Sequence, residues 1–307
     1  MPRLLPIALS LSVLIAATWL PMAAMADDAA TKPLGMAELL AASKPDAWRT
    51  PDPEQTLYLD LPAGRVIIEL APDFAPAHVA NIQTLAKAHY FDGLSVLRVQ
   101  ENYVAQWGDP NAEDTAKRKA LGDAKPNLAG EFQRQRSAEL PVAKLPDGDV
   151  YAEFAGVSKG FPVAGKGDQI WLAHCYGMVG AGRGDTADSG NGAELYVVIG
   201  HSPRHLDRNV TLVGRVLLGM EHLTTLQRGT GALGFIEPPA PMTRITSIRL
   251  AADTPKAERT AIEVLRTDTP LFKQLIEARR TRRESWFLEP TGRIELCNVP
   301  IPVRLKP

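Results

Sequence analysis

The sequence is short of several things, and each shortage excludes a class of protein. It holds two cysteines in 307 residues, too few for a scaffold stapled by many disulfides. Its charge nearly cancels, with 34 Lys and Arg against 35 Asp and Glu. That balance argues against a dedicated nucleic-acid binder, which is basic overall or in one patch, and against an acidic disordered tail. Beyond Leu20 no apolar run is long enough to cross a membrane. No Gly-x-Ser-x-Gly elbow occurs, and the glycine-rich Gly180-Ala-Gly182-Arg-Gly184 lacks the Lys-Ser/Thr of a phosphate loop. It reads as a flexible loop. There is no internal repeat and no low-complexity tract.

Proline and glycine are plentiful, at 25 and 24 residues. They indicate many turns, hence many short strands rather than a helical bundle. The first 26 residues follow a different rule. Arg3 precedes an apolar run from Leu4 to Leu20, and Ala24-Met25-Ala26 has the small-x-small pattern of a cleavage site. This is the layout of a secretory signal peptide. Cleavage after Ala26 leaves residues 27–307 to work in the periplasm, with no stable membrane insertion.

Along the remaining chain, residues 27–55 are Ala-, Pro- and Asp-rich and read as a loose arm. Leu57, Leu59 and Leu61 alternate with Tyr58 and Asp60, a strand pattern. Pro62-Ala-Gly64 turns the chain into a second strand, Arg65–Leu70, as a hairpin. Pro76 opens a helix with Val79, Ile82 and Leu85 on one face. Ser95–Val99 and Tyr103–Trp107 are the next strands. Residues 133–168 look inserted, with a hairpin of Val142–Leu145 and Val150–Phe154 about Pro146-Asp-Gly148. Ile170–Cys175, Glu194–Ile199, Thr211–Leu217 and Thr243–Leu250 complete eight strands. A second short helix carries Met220, Leu223 and Leu226 and stops at Gly229. The expected architecture is mainly β: a closed eight-stranded antiparallel barrel with two capping helices. Residues 251–307 form a C-terminal extension, with a helix capped by Thr269 and Pro270 and crowded by Arg279, Arg280, Arg282 and Arg283 at its end. Those arginines read either as a site for an acidic partner or anionic lipid or, preferred here, as a solvated helix end.

The order of motifs resembles the cyclophilin-type peptidyl-prolyl cis/trans isomerases. The matching segments are Gly64–Leu70, Pro76–Asn81, Arg98-Val-Gln-Glu-Asn-Tyr-Val-Ala-Gln-Trp-Gly-Asp109, Asn191-Gly-Ala-Glu-Leu-Tyr-Val197, Leu206-Asp207 and Val213-Gly-Arg-Val216. The resemblance covers about residues 56–250, broken by the insertion.

It implies isomerisation of X–Pro bonds, assisting the folding of exported proteins. The substrates are proline-containing unfolded or extended polypeptides, and no cofactor, metal or nucleic acid takes part. Amide resonance opposes the rotation with a barrier of ~18–20 kcal/mol. A fixed cation that donates a hydrogen bond toward the prolyl nitrogen localises its lone pair and favours the twisted state. The resemblance gives that role to Arg98. Gln106 is placed to hold Arg98 or the substrate backbone, on the same face if the two strands pair about Gln100–Asn102. Tyr103, Val104, Tyr196 and Leu206 match the family's proline pocket, and the strand backbone at Ala173-His174 matches the part that binds the substrate main chain. Glu194 stands where glutamine is usual, and His205 sits where some members carry tryptophan. Leu97, Val104, Trp107 and Val210 also depart from the family's habit.

Two other readings compete. A peptide-binding or chaperone module keeps the groove and loses the rate. A metal site would use His201-x3-His205 with His174-Cys175, but the two histidines lie in a Pro-containing loop. Cys175 and Cys297 either form a disulfide in an oxidising compartment or leave Cys175 as a buried thiol. A bridge closing so long a loop contributes ~4–5 kcal/mol by chain-entropy reasoning.

Overall fold

A computed structural model describes residues 34–306. The expected signal peptide and the first part of the arm lie outside the described residues. Eight strands form one antiparallel sheet: β1 (Thr56–Leu61), β2 (Gly64–Leu70), β3 (Ser95–Val99), β4 (Val104–Gly108), β5 (Met178–Ala181), β6 (Leu195–Val198), β7 (Leu212–Leu218) and β8 (Ser247–Leu250). Their order is β8-β1-β2-β7-β5-β6-β4-β3. Four helices accompany them, α1 (Met36–Ala41), α2 (Pro76–Lys87), α3 (Met220–Thr224) and α4 (Pro270–Thr281), where two capping helices and one in the extension were expected.

Alternation of side chains about the first hairpin explains how the core divides. Leu57, Leu59 and Leu61 join Val66, Ile68 and Leu70 in the main core, where the α2 residues Val79, Ile82 and Leu85 also pack. Tyr58 and Ile67 point to the other face. There they meet Ile262 and Val264 of the C-terminal extension, so both faces of this hairpin are covered. The helix α2 lacks a side-chain cap of its own at Ala75. Its free N–H groups at Ala77 and His78 instead donate to the carboxylate of Glu131, each at 3.0 Å.

Three expectations give way. The barrel is not a closed ladder: β3 and β8 are the edges of an open sheet. The run Thr243–Leu250 changes partner midway. Thr243 and Ile245 make backbone bonds beside β3, to Val96 and Leu94, and Thr246 turns to Asp60 on β1. Second, Ile170–Cys175 does not enter the main sheet. Residues Gln169–Leu172 pair with Phe161–Lys166 in a separate five-stranded sheet, together with 154–158, 143–144 and 134–135. Met178–Ala181 takes its place beside β6 and β7, which puts Gly180 in a strand rather than a flexible loop. Third, the described part of the arm is not loose. Its α1 packs on α4, and Trp48 and Arg49 pair with Leu265 and Val264.

Arm, insertion and extension share a second core. Leu39, Trp48, Phe161, Trp171, Phe272 and Leu275 are buried in it together. The expected Thr269 cap is present, its hydroxyl accepting from Phe272 N–H at 3.2 Å. Cys175 and Cys297 are joined by a disulfide, with Cα atoms 5.0 Å apart across 122 residues of sequence.

Candidate active site

Register places the central pair. Arg98 on β3 stands directly opposite Gln106 on β4, just after an irregularity between Val96 and Arg98. The tight connection at 100–103 allows this, with Asn102 in the left-handed region at φ 54°, a conformation asparagine tolerates. The Arg98 guanidinium donates to the Gln106 side-chain oxygen at 3.2 Å, to the Gln100 side-chain oxygen, and through Nε to the backbone oxygen of Leu233 at 2.6 Å. Its charged carbon lies 5.4 Å from the Tyr103 ring centre and 5.6 Å from that of Phe235. All three acceptors are neutral. Partial burial pulls the Arg98 pKa below its ordinary value, a direction set by desolvation, and leaves the group charged at neutral pH.

Gln106 relays the contact onward. Its amide nitrogen donates to the Glu194 carboxylate, which fixes the amide so that its oxygen faces Arg98. Burial raises the Glu194 pKa against the opposing pull of the Gln106 hydrogen bond and the Arg98 charge.

A cavity of about 270 Å³ opens beside this pair, lined by Arg98, Tyr103, Val104, Gln106, Gly182, Arg183, Tyr196, Leu206 and Val210. The structure thus brings together six of the residues singled out in the sequence: Arg98, Gln106, Tyr103, Val104, Tyr196 and Leu206. Glu194 stands behind them through Gln106. Tyr196 forms the floor, lying so close over β5 that a Cβ on Gly180 would sit 2.2 Å from its ring. Only glycine fits there.

Three expected residues lie elsewhere. Ala173 and His174 are both 0% exposed, and their backbone N–H groups already donate to Pro162 O and the Asp207 carboxylate at 3.0 and 2.9 Å. Buried and engaged, they offer a substrate main chain nothing. His205 is exposed and does not line the cavity.

His174 does something else. Its Nδ1 is 3.0 Å from Asp207 Oδ1, and its Nε2 is 3.0 Å from the Tyr196 hydroxyl. An ionised Asp207 accepts only, so Nδ1 carries the proton and Nε2 accepts from Tyr196. Burial lowers the His174 pKa, against the pull of Asp207, and burial raises that of Tyr196. Both stay neutral. Burial would raise Asp207 too, but the His174 hydrogen bond and the Arg204 charge outweigh it and hold the carboxylate low. Arg204 donates to Asp207 at 2.7 Å and to both oxygens of Asp149 at 2.9 and 3.1 Å. The Trp171 indole reaches Asp207 at 3.3 Å. This network ties the cavity floor to the insertion. It also withdraws two of the four residues of the metal reading, because both His174 nitrogens are engaged and Cys175 is bridged.

Sequence reasoning missed Leu233 and Phe235. They lie on the segment after α3, which crosses β3 through Gly229 N–H to Val99 O at 3.0 Å and Ile236 N–H to Leu97 O at 2.8 Å. The signal available was an aromatic directly after the glycine-rich run 229–234; in the fold it is 41% exposed. Among the described residues, none of the C-terminal extension lines the cavity.

Residues 56–250 match the family described as cyclophilin type peptidyl-prolyl cis-trans isomerase. A probable peptidyl-prolyl cis-trans isomerase of Brucella suis biovar 1 is 27% identical over 210 residues, 66% of this chain and 86% of that protein. The human peptidyl-prolyl cis-trans isomerase-like 1 is 32% identical over 71 residues, 23% of this chain and 40% of that one. The crystal structure of cyclophilin AquaCyp293 from Hirschia baltica aligns with a TM-score of 0.66 at 26% identity, over 87% of this chain and 96% of that one. That coverage exceeds residues 56–250, so residues outside the family match align as well. The chain belongs to the cyclophilin-type peptidyl-prolyl cis-trans isomerases.

Proposed function

We propose that the protein accelerates cis/trans isomerisation of X–Pro bonds in exported polypeptides, in the periplasm, with Arg98 as the catalytic residue. One observation carries the reading: a guanidinium flanked by two aromatic rings, held only by neutral acceptors, on the wall of a cavity of about 270 Å³. Its charge is not cancelled by any carboxylate in contact with it. It is free to donate toward a prolyl nitrogen as the amide twists, when lone-pair density returns to that nitrogen. Val104, Tyr196, Leu206 and Val210 receive the ring, and Gln106 holds the guanidinium and contacts the substrate backbone. Preorganised charge in such a dry setting contributes about 3–4 kcal/mol per donor, roughly 100- to 1000-fold in rate. No metal or cofactor is needed, since no covalent bond is made or broken.

Export is supported by the amino-terminal pattern and by the Cys175–Cys297 bridge, which an oxidising compartment maintains. Amino-terminal sequencing of the periplasmic fraction tests it, with Asp27 expected first and an intact Met1 contrary. A protease-coupled peptide assay tests the activity. The wild type is expected to exceed the uncatalysed rate and Arg98→Ala to fall toward it. Equal rates for both proteins and the blank would leave a peptide-binding module on the same fold.

A further inference from the structure

A second cavity, about 350 Å³, lies on the opposite face of the sheet from the main core, under residues 296–303 of the extension. It shares no lining residue with the cavity beside Arg98. Its walls are mostly apolar, with Met178, Leu217, Met220, Leu296, Val299 and Ile301 among them. The Cys175–Cys297 disulfide lines it too and pins the extension's wall to the connection that precedes β5.

One charged group stands in this apolar wall. Arg215 on β7 is 9% exposed. Its Nε and Nη2 are buried without a hydrogen-bond partner among the described residues. Its cross-strand neighbour is Glu69 on β2, which is already taken: Arg49 donates to both Glu69 oxygens, at 2.5 and 2.9 Å. The trio Arg49, Glu69 and Arg215 therefore carries one uncompensated positive charge. Burial lowers the Arg215 pKa to about 10, so the charge persists at neutral pH. An unpaired buried ion costs several kcal/mol, and its unused donors add the cost of lost solvation. A methionine or leucine would fill the same position without that cost.

We propose that this cavity binds a small organic carboxylate with an apolar tail, its carboxylate paired with the Arg215 guanidinium and its tail along Met220, Leu296 and Val299. Nη1 is the guanidinium nitrogen outside that buried pair, and it can donate a charge-assisted hydrogen bond to a carboxylate, while the apolar side chains of the lining suit an alkyl chain. The site is independent of the isomerase reading, because its residues do not touch the Arg98 cavity.

Calorimetric titration and thermal melts of the purified full chain with octanoate, octanol and acetate test this. Octanoate is expected to bind saturably at one site and raise the melting temperature, with octanol and acetate at least ten-fold weaker. Arg215→Met is expected to abolish the octanoate shift and, without ligand, to melt no lower than the wild type. Met220→Trp keeps the arginine and narrows the cavity. It is expected to weaken octanoate at least ten-fold, and it decides the matter should Arg215→Met not fold. Absence of saturable octanoate binding, equal binding of octanol, or wild-type binding by the folded Arg215→Met or by Met220→Trp would overturn the proposal.

Discussion

Arg98 and Arg204 belong to two separate side-chain networks on either side of Tyr196 and are treated in opposite ways. Arg204, 3% exposed, is surrounded by carboxylates, with Asp149 and Asp207 taking its donors. Arg98, half-buried, meets two glutamines and a backbone carbonyl. A buried arginine neutralised by two aspartates is a structural clamp, because its charge has nothing left to give. An arginine steadied by neutral oxygens keeps its field for whatever enters the cavity. Between them lies Tyr196, whose ring floors the cavity and whose hydroxyl belongs to the Arg204 network through His174. The contrast separates residues that act from residues that position.

Breaking the clamp has the largest expected effect on stability. Arg204→Leu leaves two buried aspartates uncompensated and is expected to destabilise by about 3–5 kcal/mol, read from urea unfolding. The bridge comes next. Cys175→Ser with Cys297→Ser is expected to cost about 2–4 kcal/mol in the same measurement, and a reductant is expected to bring the wild type toward the double variant. Rates per folded molecule are expected to stay near wild type in the disulfide variant, since neither cysteine lines the Arg98 cavity.

Acidification sharpens the same division. The His174 pKa is lowered in the fold, so below about pH 6.5 the unfolded chain takes up a proton that the folded chain refuses. The Asp207 carboxylate is also held low, so below about pH 4 the unfolded chain again binds more protons. His174 and Asp207 are expected to lower stability in two stages below pH 6.5, each with a slope of up to about 1.4 kcal/mol per pH unit, and the raised pKa of Glu194 is expected to offset part of the first stage, because the folded chain takes up that proton before the unfolded one does. Thermal melts across pH check this, and Tyr196→Phe, which strips His174 Nε2 of its donor, is expected to cost about 1–3 kcal/mol at neutral pH.

Glu194 gives the smallest effect, on the acting side. Its carboxylate, reached through Gln106, damps the field of Arg98. Glu194→Gln keeps the acceptor for Gln106 and is expected to raise kcat/KM a few-fold at neutral pH, about 1 kcal/mol for a screened charge at this range. Because burial raises the Glu194 pKa, the wild type is expected to gain activity on mild acidification as that charge is lost. The variant is expected to lack that limb.

The acting side was largely legible in the sequence. Arg98 and Gln106 are type-specific, and their eight-residue spacing predicts a shared face that the β3–β4 register delivers. The positioning side was not. Ile170–Leu172 reads as a buried strand whichever sheet it joins, because apolar pattern reports burial and not partner. In the arm, Met36, Leu39 and Leu40 have helical spacing over one turn only, and Trp48 stands alone, so the pattern was too short to read before Phe272 and Leu265 supplied the other half of its core. The Leu233 contact is made by a backbone oxygen, which leaves no mark on residue type. His174, matched to a substrate strand by resemblance, is turned inward because residues 169–172 pair within the smaller sheet and the chain re-enters the main sheet only at Met178.

The central claim is that Arg98 acts on the twisted amide and not on the resting peptide. The direct test measures both quantities on Arg98→Ala with one proline-containing peptide: affinity by titration, and isomerisation by magnetisation-exchange NMR, which needs no protease. Affinity is expected to stay within about three-fold while kcat/KM falls about 100-fold or more, the mark of an interaction made only in the transition state. An unchanged rate, or a loss of affinity as large as the loss of rate, would contradict it.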